Sequence, residues 1–552
     1  MKNLLKILLL ITVITSGTTL VSCEDGKDGI NGIDGTNGKD GADGEDGADG
    51  EDGVDGEDLT VKEMKPLTSS ITPNTLFELK GAFTGSADLT MMMSSADILP
   101  TDSTFVYGSY MDGAALYPYN DGSGTYAFIN NLERDYSIAR IRLNSELQPL
   151  EGSYIVNSTA TAFTAQCSGS SITVEEHGFG PLYLSGGEWG GNAKGVYKVN
   201  PFRSTYDRVE VDRLPALGEW STENAVVIGK NAFPGKTVVF MGDDDSNNAY
   251  PEAHFAMYAG GLGDLNSGDL YVLKGMNPIE TAPGAGGQLF EMGMAEGIAY
   301  EAEWVKVNER TISELNQEAI DLLAIGFQRI EDIDWQKGSE ENNRTVFFNA
   351  TGRYRSDNPD LANRGTTFGR VYKVELPEDM LDSESANYLK ATITCVVDGD
   401  KEGGIGDGMH SPDNILVTEN YAYIQEDPNG YADQNPNIQG YAKLWQYNIA
   451  NKSFTEVMEC AQVAASNMDI GNTDSMWEIT GLIDVTDIIG ATESTFIGGA
   501  QVHGWRPENN PETAKRADGH LFSDPTAIDY SQNGTGGAYE GSVLFKITGL
   551  PR

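Results

Sequence analysis

Oxygen donors recur in this sequence at one kind of place, the end of a short strand-forming run. Asn131 and Glu133, Glu188, Asp243 to Asp245, Asn349, Glu426 with Asp427, and Gln501 with His503 each follow an aromatic or aliphatic stretch. The segment "MHSPDNILVTENYAYIQEDPNG" opens on Asp413-Asn414 and closes on Glu426-Asp427, around Leu416, Tyr421, Tyr423 and Ile424. An acid at the end of a buried strand is costly unless something pairs with it. Any one of these pairs alone reads as a loop acid in an acidic protein. As a set at one repeat position they predict convergence, and converged carboxylates cannot all stay ionised without cations. Hard oxygen donors with few His or Cys favour calcium or magnesium over zinc. Such a centre suits metal-assisted hydrolysis, in which the ions clamp substrate oxygens and activate a water. His503 could serve as acid–base group or ligand. Arg329, Arg353 and Arg370 are the cations that could offset developing charge.

The elements that would position these residues repeat. Five segments share one plan: a strand, a polar or acidic end, a Gly/Asn-rich loop, then a strand of the "GxVYKV" kind. They span 181–201, 237–275, 345–376, 420–449 and 494–550, with a weaker copy at 124–144. Recurring short strands with one grammar predict an all-β fold, a β-propeller of six blades with irregular insertions. One insertion reads as a helix. Thr311 and Glu314 form a capping box, Ile312, Leu315, Ala319, Leu322 and Leu323 make an apolar stripe, and Gly326 ends it.

The propeller region begins near residue 59. Before it, "LLKILLLITVI" and then "LVSC" ending at Cys23 predict a signal peptide over 1–23. The lipobox-like end makes Cys23 the expected lipidation site and outer-membrane anchor, and the following "EDGKD" is similar to a surface-export signal. Residues 24–58 repeat Gly at every third position from Gly26 to Gly56, the collagen period, without Pro and with acids far outnumbering two lysines. That composition predicts a solvated stalk; the collagen period leaves trimerisation open. The formal net charge of -46 argues against nucleic acid as a partner. Cys167, Cys395 and Cys460 are an odd number, so a disulfide framework is not expected, and their pairing stays open.

These residues bring a family into view. "HSPDNILVTENYAYIQED" resembles the "SPDN…CED" element of the PhoX-type calcium-dependent alkaline phosphatases, exported bacterial propellers. "LYLSGGEWGGNAKGVYKVNP", "ALGEWSTENAVV", "TVVFMGDDDS", "GFQRIEDIDW" and "FIGGAQVHGW" are similar to further elements of that family, in the same order. The resemblance implies metal-ligand roles for Glu188, Glu223, Asp243, Asp244, Glu331, Asp332 and Glu426, with Asp413 and Asn414 near the site; Asp427 joins them through its repeat position. It also implies calcium as the cofactor and a small phosphate ester as the substrate. The family's iron-ligand Cys falls at Gly186 and its neighbouring Glu at Gly187, which leaves iron without a soft ligand. Cys167, in "AQCSGS", lies upstream and is not an obvious substitute. The leading expectation is a surface-anchored, calcium-dependent phosphoesterase, with His503 and Arg370 as catalytic side chains. A glycan-binding propeller without catalysis and a propeller polysaccharide lyase are the alternatives.

Overall fold

The computed structural model describes residues 64–552, apart from 246–250, 277–288, 355–362, 429–437, 439, 524–525 and 529–539. The expected signal peptide, lipidation site Cys23 and stalk therefore lie outside the described residues. From Met111 onward the chain is built from antiparallel four-stranded units. The first blade is Met111–Pro118, Tyr126–Leu132, Ser137–Leu143 and Pro149–Val156. The second is Thr164–Ile172, Leu182–Gly190, Gly195–Val199 and Asp212–Arg213. The third is Thr222–Val227, Lys236–Asp243, Phe255–Gly261 and Asp269–Gly275, and the fourth Ile330–Trp335, Thr345–Ala350, Arg370–Glu375 and Lys390–Asp398. Ala299–Val307 pairs with the outer strands of both the third and fourth blades and fuses them into one nine-stranded sheet. The fifth is Pro412–Val417, Tyr421–Glu426, Lys443–Asn448 and Phe454–Cys460, edged by Phe77–Leu79. The sixth is Glu478–Asp484, Thr495–Val502 and Gly541–Thr548, completed by Asp88–Ser94 from ahead of the first blade.

The first strand of each blade touches the first strand of the next, and the sixth returns to the first, so six inner strands close a ring. The sheets number five only because the nine-stranded sheet supplies two of them. The apolar core follows the same count. It falls into six clusters, each between consecutive blades, as where Val226 and Phe240 of the third meet Ile330 and Phe348 of the fourth. A blade is covered on both faces, so its strands read as continuous apolar runs: from Thr237 to Asp243 every residue is buried. The predicted helix forms over Ile312–Asp321 and buries Leu315 and Ala319. It ends before Gly326, with Leu323 already in left-handed backbone. Thr311 donates to the Glu314 carboxylate, and its side chain caps no backbone amide, so the two side chains pair with each other in place of the expected capping box. Cys167, Cys395 and Cys460 are all buried free thiols.

Five of the inner strands carry a two-residue bulge near the same end of the ring, four at the strand's second and third residues and the second blade's at its fourth and fifth. Asp112-Gly113, Cys167-Ser168, Glu223-Asn224, Glu331-Asp332 and Asp413-Asn414 each stand opposite a single residue of the neighbouring strand. A bulge re-aims side chains and leaves backbone groups unpaired. In three blades a side-chain amide opposite the bulge serves the bulge of the following blade, Gln425 doing so by accepting the Leu482 amide at 3.0 Å. Asn131 donates to the carbonyls of Cys167 and Ser168, and Asn349 to those of Asp413 and Asn414. In the second and third blades the opposing residue is Gly186 or Gly242, where the next bulge packs directly: a Cβ on Gly186 would lie 1.8 Å from the Glu223 carbonyl oxygen. No side chain fits at Gly186.

Candidate metal centre

The bulges sort their residues between two ends of the central channel. The first residue of each (Asp112, Cys167, Glu223, Glu331, Asp413) lines a pocket of about 400 Å³ at one mouth. The second (Gly113, Ser168, Asn224, Asp332, Asn414) faces a larger cavity of about 820 Å³ toward the other end. In the sixth blade both bulge residues, Gly481 and Leu482, face the larger cavity, and Glu478 at the strand's start reaches the mouth. Residues just at or beyond the second strands complete the lining: Glu133, Glu188, Asp244, Asp245, Asp427, Gln501 and His503. The helix reaches this rim, where Asn316 donates to Asp245 at 2.8 Å.

The pocket thus gathers carboxylates from all six blades, against Arg134, Lys194 and Arg329. Arg329, in left-handed backbone, bridges Asp244 at 2.8 Å and Glu331 at 2.7 Å. Lys194 donates to Ser221. Arg134 stacks on the Trp189 ring, 4.4 Å from its centroid, and also faces Tyr110. These charges do not balance the acids. Burial, then repulsion from Asp244, pushes Glu188 well above the carboxylate range; burial and Asp112 do the same to Glu223, and burial and Asp427 to Glu478. Burial raises Glu331 despite Arg329, and burial with Glu331 raises Asp413. Asp112 is pushed up to about 8, chiefly by burial. Cys167 rises for the same reason, with Glu188 adding repulsion, and its Sγ donates to Glu188 Oε2 at 2.9 Å. A bound cation reverses every one of these shifts. Three groups bring donor atoms within 4.8 Å of one another: Asp112, Cys167 and Glu223; Glu223, Glu331 and Asp413; and Asp427, Glu478 and His503. The donor set therefore fits divalent cations, with Glu223 shared by two groups.

Of the residues singled out from the sequence, Glu188, Glu223, Asp244, Glu331, Asp413, Asp427 and His503 line the pocket; Asp243, Asp332, Asn414, Glu426 and Arg370 lie outside it. Asp243 accepts the Ser221 amide at 3.2 Å. Asp332 accepts the Ile415 amide at 3.1 Å and so braces the fourth blade on the fifth, while burial holds it up near 7. Asn414 donates to Asp112 and Ser168 and orients the pocket floor from below. Glu426 points into its own blade, where it takes the amides of His410 and Lys443 and the Trp445 indole at 2.7 to 2.9 Å. Arg370 sits in the fourth blade on Asp398 at 2.6 Å and on the carbonyls of Glu291 and Met294. Arg370→Met is therefore expected to lower stability by about 3–5 kcal/mol, as removal of one partner from a buried ion pair does, with cation binding unchanged; denaturant unfolding and metal analysis of the refolded protein check both halves.

One expectation is corrected. The family resemblance leaves the centre without a thiol, because Gly186 stands at the family's Cys. The thiol comes instead from Cys167, on the neighbouring strand of the same blade. Asp112, Cys167 and Glu478 were missed as site residues. The signal for them is the inner-strand start, an acid or thiol a few residues before a short apolar run, which is weak on its own.

No protein-family model and no curated protein matches the chain. Among solved structures, Pseudomonas fluorescens PhoX in complex with vanadate, a transition state analogue, aligns over 88% of this chain and 97% of that one, with a TM-score of 0.54 and 13% identity. A putative glycosidase from Bacteroides thetaiotaomicron aligns over 70% of this chain and 97% of that one at a TM-score of 0.28 and 9% identity. The chain has a PhoX-like propeller fold.

Proposed function

We propose that the protein is a metal-dependent phosphoesterase, with calcium in its oxygen-only group of Glu223, Glu331 and Asp413, held at the outer cell surface through a lipidated Cys23 and the acidic stalk. The observation that carries this reading is the convergence of acids and one thiol from six inner strands on a single pocket that also holds arginine and lysine. Bound cations would polarise phosphoryl oxygens and generate the attacking hydroxide at neutral pH. Arg329 lies between Asp244 and Glu331 and could turn from these acids to the charge that develops on the phosphoryl group. Asn414 and Ser168 hold the floor of the pocket from the channel side. A solved neighbour of the same fold that binds vanadate, described there as a transition state analogue, supports the substrate class. The purified full chain should hydrolyse an aryl phosphate in the presence of Ca2+ and stop on chelation. Absence of cation-dependent turnover on both monoesters and diesters would reject the phosphoesterase while leaving the cation centre standing.

A further inference from the structure

His503 and Glu540 make a feature that phosphoester chemistry alone does not require. His503 is 3% exposed, and its Nδ1 lies 2.9 Å from Glu540 Oε2. Glu540, 4% exposed, is fixed in turn by Arg506 Nε at 3.2 Å and by the Tyr110 hydroxyl. Tyr110 also packs on the imidazole, ring centroids 5.0 Å apart. Nδ1 faces the Glu540 carboxylate, which leaves Nε2 as the ring nitrogen with no hydrogen-bond partner among the described residues, and the residue lines the pocket. Glu478, from the sixth blade's inner strand, and Asp427, beyond the fifth blade's second strand, bring carboxylate oxygens within 4.8 Å of the His503 donor atom. A carboxylate that orients the imidazole of a metal ligand through its other nitrogen is the usual outer support of such sites. Imidazole nitrogen with two carboxylates suits a borderline transition ion, whereas calcium prefers oxygen alone.

We infer that Asp427, Glu478 and His503 form a transition-metal subsite, separate from the oxygen-rich group around Glu331, with Glu540 as the positioning residue that fixes His503. Three protein ligands leave a coordination position open to water or substrate. This inference rests on the reading of the pocket as a cation centre and not on the identity of the substrate. The test uses the full chain carrying Cys167→Ser, so that no thiolate contributes, saturated with Ca2+ and titrated with Co2+. Visible ligand-field absorption and metal analysis are the readouts. A Co2+ band is expected at saturating Ca2+. His503→Ala in that background should abolish the band and its Co2+ while bound Ca2+ is unchanged. Glu540→Gln should keep the band and weaken Co2+ binding about 10- to 100-fold. Co2+ binding that survives His503→Ala with the same spectrum, or wild-type affinity in Glu540→Gln, overturns the inference. If His503→Ala does not fold, Glu540→Gln decides. A protein that takes up neither Ca2+ nor Co2+ rejects the cation centre itself.

Discussion

Stripped of divalent cations, the protein is expected to lose stability steadily as pH rises from the ordinary Asp value near 3.8 to about 8, where the buried Asp112 finally ionises. The sign follows from proton counts. In that window folded Asp112 keeps a proton that the unfolded chain has released, so the unfolded state binds fewer protons and rising pH favours it. Glu188, Glu223, Glu331, Asp413 and Glu478 are raised in the same direction and add to the slope. A tenfold difference in acidity between the folded and unfolded chain is worth about 1.4 kcal/mol per group. Glu540 has the opposite sign. Burial alone would raise it, but the hydrogen bond and charge of His503, with Tyr110 and Arg506, outweigh burial and hold it at about 2. Its contribution is present above the ordinary Glu value of 4.5 and is lost only in more acidic solution, so it leaves most of the window untouched. Saturating Ca2+ replaces the retained protons and stabilises the folded state by mass action. Thermal melts with chelator and with Ca2+ should therefore coincide near pH 4 and diverge increasingly up to about pH 8. A chelated protein whose melting temperature stays flat across that window would show that these acids do not share an ion-binding centre.

Much of the ring was legible because its second and third strands are long, apolar and alike. Segments such as "TVVFMGDDD" and "TVFFNATG" announce a strand and its acidic or amide end together. The inner strands carry no common residue pattern: "MDGAALYP", "TAQCSGSSI" and "TENAVV" share a position in the ring but almost no sequence. Their bulges also break the alternation from which facing is read. Consecutive residues such as Glu331 and Asp332 consequently end up at opposite ends of the channel. Asp243, Asp332, Asn414 and Glu426, though not Arg370, are each one position from a residue that lines the pocket. Asp243 and Glu426 lie next to Asp244 and Asp427, and neighbouring side chains on a strand point to opposite sides. Gly186 illustrates a different limit. Its reading as a lost ligand compared letters at one site, whereas the backbone of the third blade fills the space its side chain would need. The thiol enters the same pocket from the paired strand.

Glu223→Gln and Glu426→Gln should separate the centre from its surroundings most sharply. Glu223 belongs to two of the three donor groups and joins the Asp112–Cys167 side of the pocket to the Glu331–Asp413 side. Its Oε1 also accepts the Ser168 amide at 3.1 Å, which ties it to the neighbouring bulge. An amide in its place keeps the volume but removes the charge shared by both groups. Cation affinity should fall at both, by more than the roughly 10- to 100-fold lost when only an outer support of a ligand is changed. Hydrolysis of an aryl phosphate should drop by at least about 10²–10³-fold, the effect of removing one electrostatic stabiliser from an active site. Folding in the absence of cations should improve, because one repelling carboxylate has gone and Glu188, Glu331 and Asp413 are relieved. Glu426→Gln should do the reverse. Its carboxylate accepts two amides and an indole inside the fifth blade, and a Gln side chain offers only one oxygen to those three donors. A loss of about 1–3 kcal/mol in stability is expected, the cost of leaving a buried donor unpaired, with cation content and turnover close to wild type. Metal analysis, denaturant unfolding and initial rates on the two variants provide the comparison. If Glu426→Gln loses its ions while Glu223→Gln retains them, the centre lies inside the fifth blade and not at the channel mouth.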